Sequence, residues 1–168
     1  MRNFSICGAA ETLLIDKKCS DAHYKIILNS LQESGCKIIG EKIIQKYLSK
    51  KIKAASIKDW KTEYLAPIIS VKSVNGVNEA IKHINKYGTS HTESIVTKNK
   101  KTVKKFFDGI NSSIIIHNAS TQFADGGEFG FGAEVGISTE KLHPRGPVGI
   151  NQLITYKYVL EGSGQIRK

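Results

Sequence analysis

Three cysteines are the residues of this chain whose type could carry covalent chemistry. Cys7 lies at a corner of small residues, CGAA, between two short apolar runs, and Cys19 and Cys36 follow. The odd count and the lack of CxxC spacing argue against a disulfide framework and against a zinc ribbon. Only a thiolate attacks well, and helix N-termini or cationic neighbours lower the pKa of a thiol to produce it. By residue type alone, a cysteine in an apolar stretch is more often a buried, inert small side chain, so both interpretations stay open at this point.

A glycine-rich segment between Ala119 and Gly149 is the second candidate for function. Successive glycines let backbone N–H groups converge on an anion without interference from a Cβ atom, and nearby hydroxyl groups add donors. Such a loop could hold a phosphate or a carboxylate; the alternative is a glycine-rich connection to the last strand. The residues predicted to bind a ligand are Asn118, Ser120, Thr121, Gly126, Gly127, Glu128 and Phe129.

Composition and charge limit the classes of partner. The five histidines have no HxxxH or HxH spacing, so no metal site is expected. A net charge of +10 would attract polyanions. Nearly all the basic residues are lysines spread over several segments, whereas nucleic-acid readers rely on clustered arginines, so a solvated basic surface and no nucleic-acid partner are expected. No apolar run reaches the roughly 18 residues of a membrane span and no signal peptide is visible, which predicts a cytoplasmic protein with no membrane partner.

Strands and helices alternate through most of the chain. Helices are predicted from Ser20 to near Gly35 and over 41–48, 77–87 and 100–109, and extended segments over 4–6, 11–15, 36–39, 68–74, 92–96, 112–117 and 153–160. This alternation indicates an α/β fold with a parallel sheet and crossover helices. A terminal strand with free edges, as predicted at 153–160, commonly pairs with another subunit. No G-x-G-x-x-G motif joins a strand to a helix, so a dinucleotide-binding fold is not expected within this sequence.

Five stretches, in order, resemble one known family. They are ICGAAETLLID, DWKTEYLAPIISVKSV, AIKHINKYGTSHTESIVT, HNASTQFADGGEFGFGAEVGISTEKLHPRGPVG and TYKYVLEGSGQIR. Together they resemble gamma-glutamyl phosphate reductase, also called glutamate-5-semialdehyde dehydrogenase, of the aldehyde dehydrogenase superfamily. The resemblance implies a three-layer α/β catalytic domain with a mostly parallel sheet over residues 1–150. It also implies a C-terminal oligomerisation strand and tail over residues 151–168, hence a homo-oligomer.

The resemblance implies a role for each matched residue. Cys7 matches the family's catalytic cysteine, which attacks the acyl phosphate of L-glutamyl 5-phosphate and carries a thioester. NADPH then reduces the thioester to L-glutamate 5-semialdehyde, a step of proline biosynthesis. Glu63 matches the carboxylate that accepts hydrogen bonds from the nicotinamide ribose, although by residue type alone it is a surface acid. The segment from Asn118 to Phe129 matches the substrate loop.

Two departures from the family pattern flank the predicted site. Gly8 stands where the family usually has asparagine, and Gln122 replaces the usual arginine, which removes a planar cationic donor near an anionic substrate. The family's chains are more than twice as long, with the nucleotide-binding half ahead of the cysteine, so that domain is expected to be missing here. The chain is therefore predicted to be inactive alone. It is either a reductase that needs a separate nucleotide-binding chain or a non-catalytic remnant.

Overall fold

The computed structural model describes residues 3–141 and 143–166 of the chain. Its elements are, in order, β1 (Thr12–Asp16), α1 (Asp21–Glu33), β2 (Lys37–Gly40), β3 (Lys53–Ala54), β4 (Ile68–Val74), α2 (Gly76–Tyr87), β5 (Thr92–Ile95), α3 (Lys100–Gly109), β6 (Ile114–His117), β7 (Gly136–Ser138) and β8 (Gly146–Val148). Short 3-10 turns occupy Lys42–Tyr47, Asp59–Lys61, Thr121–Phe123 and Ile150–Gln152.

The strands of the described residues form three sheets, of which two are parallel. The largest sheet has the order β1-β4-β2-β3, and every neighbouring pair in it is parallel. The strands β5 and β6 form a second parallel pair, whereas β7 and β8 are antiparallel. The predicted mostly parallel α/β fold is therefore confirmed, with the parallel strands divided between two sheets.

Both faces of the central strand β4 are covered by helices. Val71 packs into the apolar core with Tyr24 of α1. The next residue, Lys72, lies over the ring of Trp60 at 5.9 Å, and the edge of that ring meets His83 of α2 at 5.2 Å between centroids. Because successive side chains of a strand point to opposite faces, α1 and α2 lie on opposite sides of the sheet. This arrangement gives the three layers that were predicted.

Capping side chains explain where the helices begin. The Ser20 hydroxyl accepts a hydrogen bond from His23 N at 3.3 Å at the start of α1, and the Asn99 side chain accepts from Thr102 N at 3.1 Å at the start of α3. Such caps satisfy amide groups that have no partner inside the helix. The bounds predicted for α1 and α3 are confirmed. No helix in the described part of the chain is long and apolar enough to cross a membrane.

Two predicted elements at the start of the chain are wrong in type. Residues 4–6 form bends rather than a strand, because they lead directly into a tight turn that ends at Ala9. The helix predicted over 41–48 is a 3-10 turn at Lys42–Tyr47, flanked by extended residues. A segment this short, with Ile44 and Tyr47 buried on one side, gains little from α-helical hydrogen bonds, and 3-10 geometry is usual for such pieces.

The predicted terminal strand at 153–160 is also absent from the described structure. The segment runs without regular structure, and its side chains are exposed, Tyr158 by 90% and Leu160 by 96%. A strand requires a neighbour to pair its N–H and C=O groups, and no described strand of this chain pairs with the segment. The sequence of residues 153–160 is typical of a strand, but the segment does not form a strand within one subunit.

Candidate active site

Cys7 is exposed at the surface in a tight turn ahead of β1. The turn is closed by Ala9 N–H, which donates to Ile6 O at 3.0 Å, so that Cys7 and Gly8 are its two central residues. Cys36, by contrast, is buried in the core. Cys7 is therefore a surface residue, and it is not a packing residue of the interior.

The loop that begins at residue 118 packs directly against this turn. Thr121 Oγ1 donates to Gly8 O at 2.6 Å, and Gln122 Nε2 donates to Asn3 O at 2.9 Å. A Cβ atom added at Gly8 would lie 2.9 Å from Thr121 O and 3.3 Å from Gln122 Cα. Gly8 and Gln122, the two positions that the resemblance predicts to depart from the family pattern, are therefore neighbours in space. The structure brings the Cys7 corner and the predicted substrate loop together.

The glycine-rich amides of this loop bind the protein's own carboxylates. Gly126 N–H donates to Glu134 Oε2 at 2.7 Å, while Gly127 N–H and Glu128 N–H donate to Asp125 Oδ2 at 3.2 and 3.4 Å. These are among the amides that the sequence predicts to hold a phosphate or carboxylate. They do converge on anions, but the anions belong to the loop itself. An external anion would have to displace one of these carboxylates to reach the same N–H groups.

The other predicted loop residues frame these amides. The Asn118 side chain accepts from Thr97 N at 2.9 Å and donates to Thr97 O at 3.1 Å, from a residue with φ of +54°. Ser120 Oγ accepts from Gln122 N at 3.2 Å and caps the short turn that follows. Phe129 is 46% exposed. Asn118 and Ser120 thus shape the loop, and Phe129 presents an apolar surface beside it.

The charges around Cys7 oppose its ionisation. Although the residue is exposed, neighbouring atoms partly bury its thiol. This partial burial is the largest cause and, with the carboxylates of Glu134 and then Asp125, it raises the pKa of Cys7 above the ordinary value. The backbone N–H groups of Gly8 and of Cys7 itself act in the opposite direction. Among the described residues, no lysine or arginine is a leading cause of the shift in this pKa, although a cationic neighbour is expected of a reactive cysteine. Sequence reasoning missed Glu134 as a neighbour of the thiol, and its position inside the matched glycine-rich block was the available signal.

Glu63 is exposed in a loop ahead of β4, and hydrogen bonds of the next residue, Tyr64, hold this loop in place. Tyr64 N–H donates to Glu11 Oε1 at 3.2 Å, and Tyr64 OH lies 2.7 Å from Ser70 Oγ on β4. The pKa of Glu11 is raised, first by burial and then by the negative charge of Glu63, which lies close to it. Because Glu11 directly precedes β1, the loop of Glu63 is bonded to the same segment that carries Cys7.

The charges of Glu134, in the glycine-rich loop, and of Glu63 both act on His91. Burial lowers the pKa of His91, while the charges of Glu134 and then Glu63 act in the opposite direction. Its Nδ1 lies 2.7 Å from Thr92 Oγ1, and its Nε2 is buried without a hydrogen-bond partner among the described residues. Glu134 also acts on the pKa of Cys7, so the charge of this one carboxylate reaches both the thiol and His91. Metal-binding side chains do not gather in groups of three or more within residues 3–141 and 143–166.

Known proteins are similar to this chain in sequence. The family model described as "Aldehyde dehydrogenase family" matches residues 51–152. A gamma-glutamyl phosphate reductase of Parvibaculum lavamentivorans is 52% identical over 167 residues, and one of Brucella suis is 53% identical over 168. Each alignment covers 99% of this chain but only 39% of the relative. The chain thus spans about two fifths of the length of the curated relatives it matches.

Solved structures agree with the sequence matches. The crystal structure of gamma-glutamyl phosphate reductase from Thermotoga maritima superposes with a TM-score of 0.91 at 43% identity, over 99% of this chain and 40% of that one. An acetylating aldehyde dehydrogenase from Geobacillus thermoglucosidasius shares the fold, with a TM-score of 0.69 at 16% identity. The family model covers well over half of the chain. The predicted resemblance is confirmed, and the chain belongs to the aldehyde dehydrogenase family.

Proposed function

We propose that this chain forms the thiol-bearing part of a gamma-glutamyl phosphate reductase that acts on L-glutamyl 5-phosphate in proline biosynthesis. The observation that carries the proposal is the turn of Cys7, which exposes a sulfur beside a loop whose N–H groups converge on anions. The two curated relatives described above are both named gamma-glutamyl phosphate reductase, and this supports the proposal. A thiol beside anion-binding amides suits attack on an acyl phosphate.

The proposed reaction begins at the sulfur of Cys7. The thiolate attacks the acyl carbon, the carbon–sulfur bond forms, and the bond from that carbon to the phosphate oxygen breaks, which releases phosphate. When bound, NADPH supplies a hydride to the thioester carbon. Cys7 then departs as a thiolate and L-glutamate 5-semialdehyde is released. Because Glu134 and Asp125 raise the pKa of the thiol, a cation brought close to them would favour the reactive form.

The substrate competes, in this proposal, with the protein's own carboxylates. The phosphate or the α-carboxylate of the substrate would take the N–H groups of Gly127 and Glu128 that Asp125 now occupies. Phe129 would cover the aliphatic part of the substrate. Asn118 and Ser120 would hold the loop in shape through the hydrogen bonds that they already make.

Glu63 suits the proposed contact with the nicotinamide ribose. Its carboxylate is exposed, and the backbone beside it is fixed by the bonds of Tyr64 to Glu11 and Ser70. A rigid, exposed acceptor of this kind can receive hydrogen bonds from two hydroxyl groups. The remaining part of the cofactor site, we propose, is supplied by a nucleotide-binding region outside these 168 residues, either in a longer chain or in a separate one.

The tail supplies the proposed contact between subunits. We divide the chain into a catalytic domain over residues 1–150 and a tail over 151–168, in a cytoplasmic homo-oligomer. The support is the run of exposed apolar and aromatic side chains, with exposed fractions between 61% and 96%: Leu153, Ile154, Tyr156, Tyr158, Val159 and Leu160. A second subunit would pair their backbone and cover these side chains.

The function is tested in a chimera in which this chain replaces the matching 39% of the Brucella suis relative. The chimera is expected to oxidise L-glutamate 5-semialdehyde in a reaction that requires both NADP⁺ and phosphate, read as NADPH formation. The Cys7→Ser variant is expected to lose this turnover by at least about a thousandfold, because the nucleophile is removed.

The Cys19→Ser variant is the matched control, since Cys19 lies beside the apolar core rather than in the exposed turn. It is expected to keep the turnover of the parent chimera. Turnover that survives Cys7→Ser would contradict the assignment of the nucleophile. A folded chimera without turnover, although the Brucella suis parent is active, would favour the non-catalytic remnant instead.

A further inference from the structure

One long-range hydrogen bond joins the turn of Cys7 to the glycine-rich loop. Thr121 Oγ1 donates to Gly8 O at 2.6 Å, between residues 113 positions apart in sequence. On the other side of the thiol, Gln122 Nε2 donates to Asn3 O at 2.9 Å. The loop therefore holds the chain both before and after Cys7.

The contact between turn and loop leaves no room for a side chain at position 8. The nearest atoms to a Cβ on Gly8 would be backbone atoms, Thr121 O at 2.9 Å and Gln122 Cα at 3.3 Å. A backbone oxygen cannot move aside as the end of a flexible side chain can. Any displacement of the loop at Thr121 is therefore transmitted to the turn of Cys7.

We propose that Thr121 is a positioning residue for Cys7, because its hydroxyl fixes the glycine that follows the thiol and thereby the orientation of the sulfur. Glycine has more backbone freedom than any other residue. The bond from Thr121 to Gly8 O and the bond from Ala9 N to Ile6 O hold the two ends of one peptide group, the one that joins Gly8 to Ala9. The inference rests on the proposed role of Cys7 as the nucleophile.

A fixed Gly8 matters to the chemistry of the thiol. The backbone N–H groups of Gly8 and Cys7 favour the thiolate, against burial and the charges of Glu134 and Asp125. If Gly8 rotates freely, its N–H group no longer keeps a constant orientation toward the sulfur. The hydroxyl proton of Thr121 is already donated to the turn of Cys7. Thr121 thus acts through Cys7, whereas the sequence predicted a direct contact between Thr121 and the substrate.

The test measures how fast iodoacetamide alkylates Cys7 in the whole chain from about pH 7 to about pH 10, around the usual range of thiol ionisation. Mass spectrometry of the peptides resolves Cys7 from Cys19 and Cys36, which serve as internal references in the same sample. Thr121→Val removes the hydroxyl at nearly constant volume, and Thr121→Ser keeps it. Ser34→Ala is the control, because it removes a similar hydroxyl-to-carbonyl bond, Ser34 Oγ to Ser30 O at 2.8 Å, at the end of α1.

In Thr121→Val, the midpoint of the pH–rate profile is expected to rise, and the rate at about pH 8 to fall roughly threefold to tenfold, as for partial loss of a hydrogen bond to a charged group. Thr121→Ser and Ser34→Ala are expected to match the parent, and the reference cysteines to be unchanged. A purely structural loosening would instead expose Cys36 and speed its labelling.

An unchanged or lowered midpoint for Cys7 in Thr121→Val would overturn the inference, as would failure of Thr121→Ser to restore the parent profile. If Thr121→Val loosens the whole fold, Gly8→Ala tests the same contact from the side of the turn. If the Gly8→Ala variant is folded and Cys7 keeps the pH–rate profile of the parent, the inference is also overturned. Failure here is separate from failure of the proposed function. The latter is decided by comparing turnover of the chimera with that of its Cys7→Ser variant, and Thr121 is unchanged in both.

Discussion

Glu93 provides a quantitative test of the fold away from the candidate site. Its carboxyl group lies on β5, where Ser112 Oγ donates to Glu93 Oε1 at 3.3 Å. A Cβ atom on Gly88 would lie only 3.0 Å from the same oxygen, which shows how closely the backbone encloses the carboxyl. Burial raises the pKa of Glu93 to about 7, and the bond from Ser112 offsets this effect only in part.

The pH dependence of stability follows from the direction of this change. The ordinary pKa is 4.5, so the folded protein binds the proton of Glu93 more tightly than the unfolded chain does. The free energy of unfolding therefore falls as the pH rises from 4.5 through about 7, and the full loss is present above that value. A rise from 4.5 to about 7 corresponds to about 3 kcal/mol. Residual exposure of the side chain makes this an upper bound.

The variant Glu93→Gln removes the ionisation and keeps an oxygen that accepts from Ser112. Urea unfolding at about pH 8 is expected to show the variant more stable than the parent by about 1 to 3 kcal/mol, whereas at about pH 5 the two differ little. Glu33→Gln is the control, because Glu33 is exposed at the end of α1, and its effect is expected to be small at both pH values. If Glu93→Gln shifted stability equally at the two pH values, the reasoning from burial would be refuted.

Two further substitutions test local contacts. Asp59 is 7% exposed and accepts from Ser56 N at 2.8 Å and Tyr64 OH at 3.3 Å, and the bonds from Ser56 lower its pKa. Asp59→Asn is therefore expected to reduce the free energy of unfolding by about 1 to 2 kcal/mol at neutral pH, and by less as the pH falls below 3.8, measured by urea titration. Gly149→Ala places a Cβ 2.7 Å from Ala133 O and is expected to lower the thermal midpoint, at a cost of about 1 to 3 kcal/mol; an unchanged midpoint would contradict the packing described there.

The helices could be predicted because their signals are local. Ser20 and Asn99 accept hydrogen bonds from the first turns of α1 and α3, and Gly88 follows the last turn of α2. Each signal depends on residues within four positions, so neighbours in sequence suffice to identify it. The alternation of these helices with short apolar runs made it possible to predict that the strands are mostly parallel.

Pairing partners and contacts across the chain could not be predicted in the same way. The segment at 153–160 has the composition of a strand, but a strand exists only where another backbone pairs with it. The contact of Gly8 with Thr121 likewise depends on how the loop folds back over more than 100 residues. Family resemblance identified the loop as relevant to Cys7, but nothing in the sequence indicated that carboxylates of the same loop would occupy its amides.

The same two carboxylates shape the loop and restrain the thiol. Asp125 binds the N–H groups of Gly127 and Glu128, Glu134 binds that of Gly126, and both raise the pKa of Cys7. Since alkylation and oxidation proceed through the thiolate, we expect the two carboxylates to slow both reactions at Cys7. Any ligand that moves these carboxylates away from the sulfur must therefore change the shape of the loop and the reactivity of the thiol together.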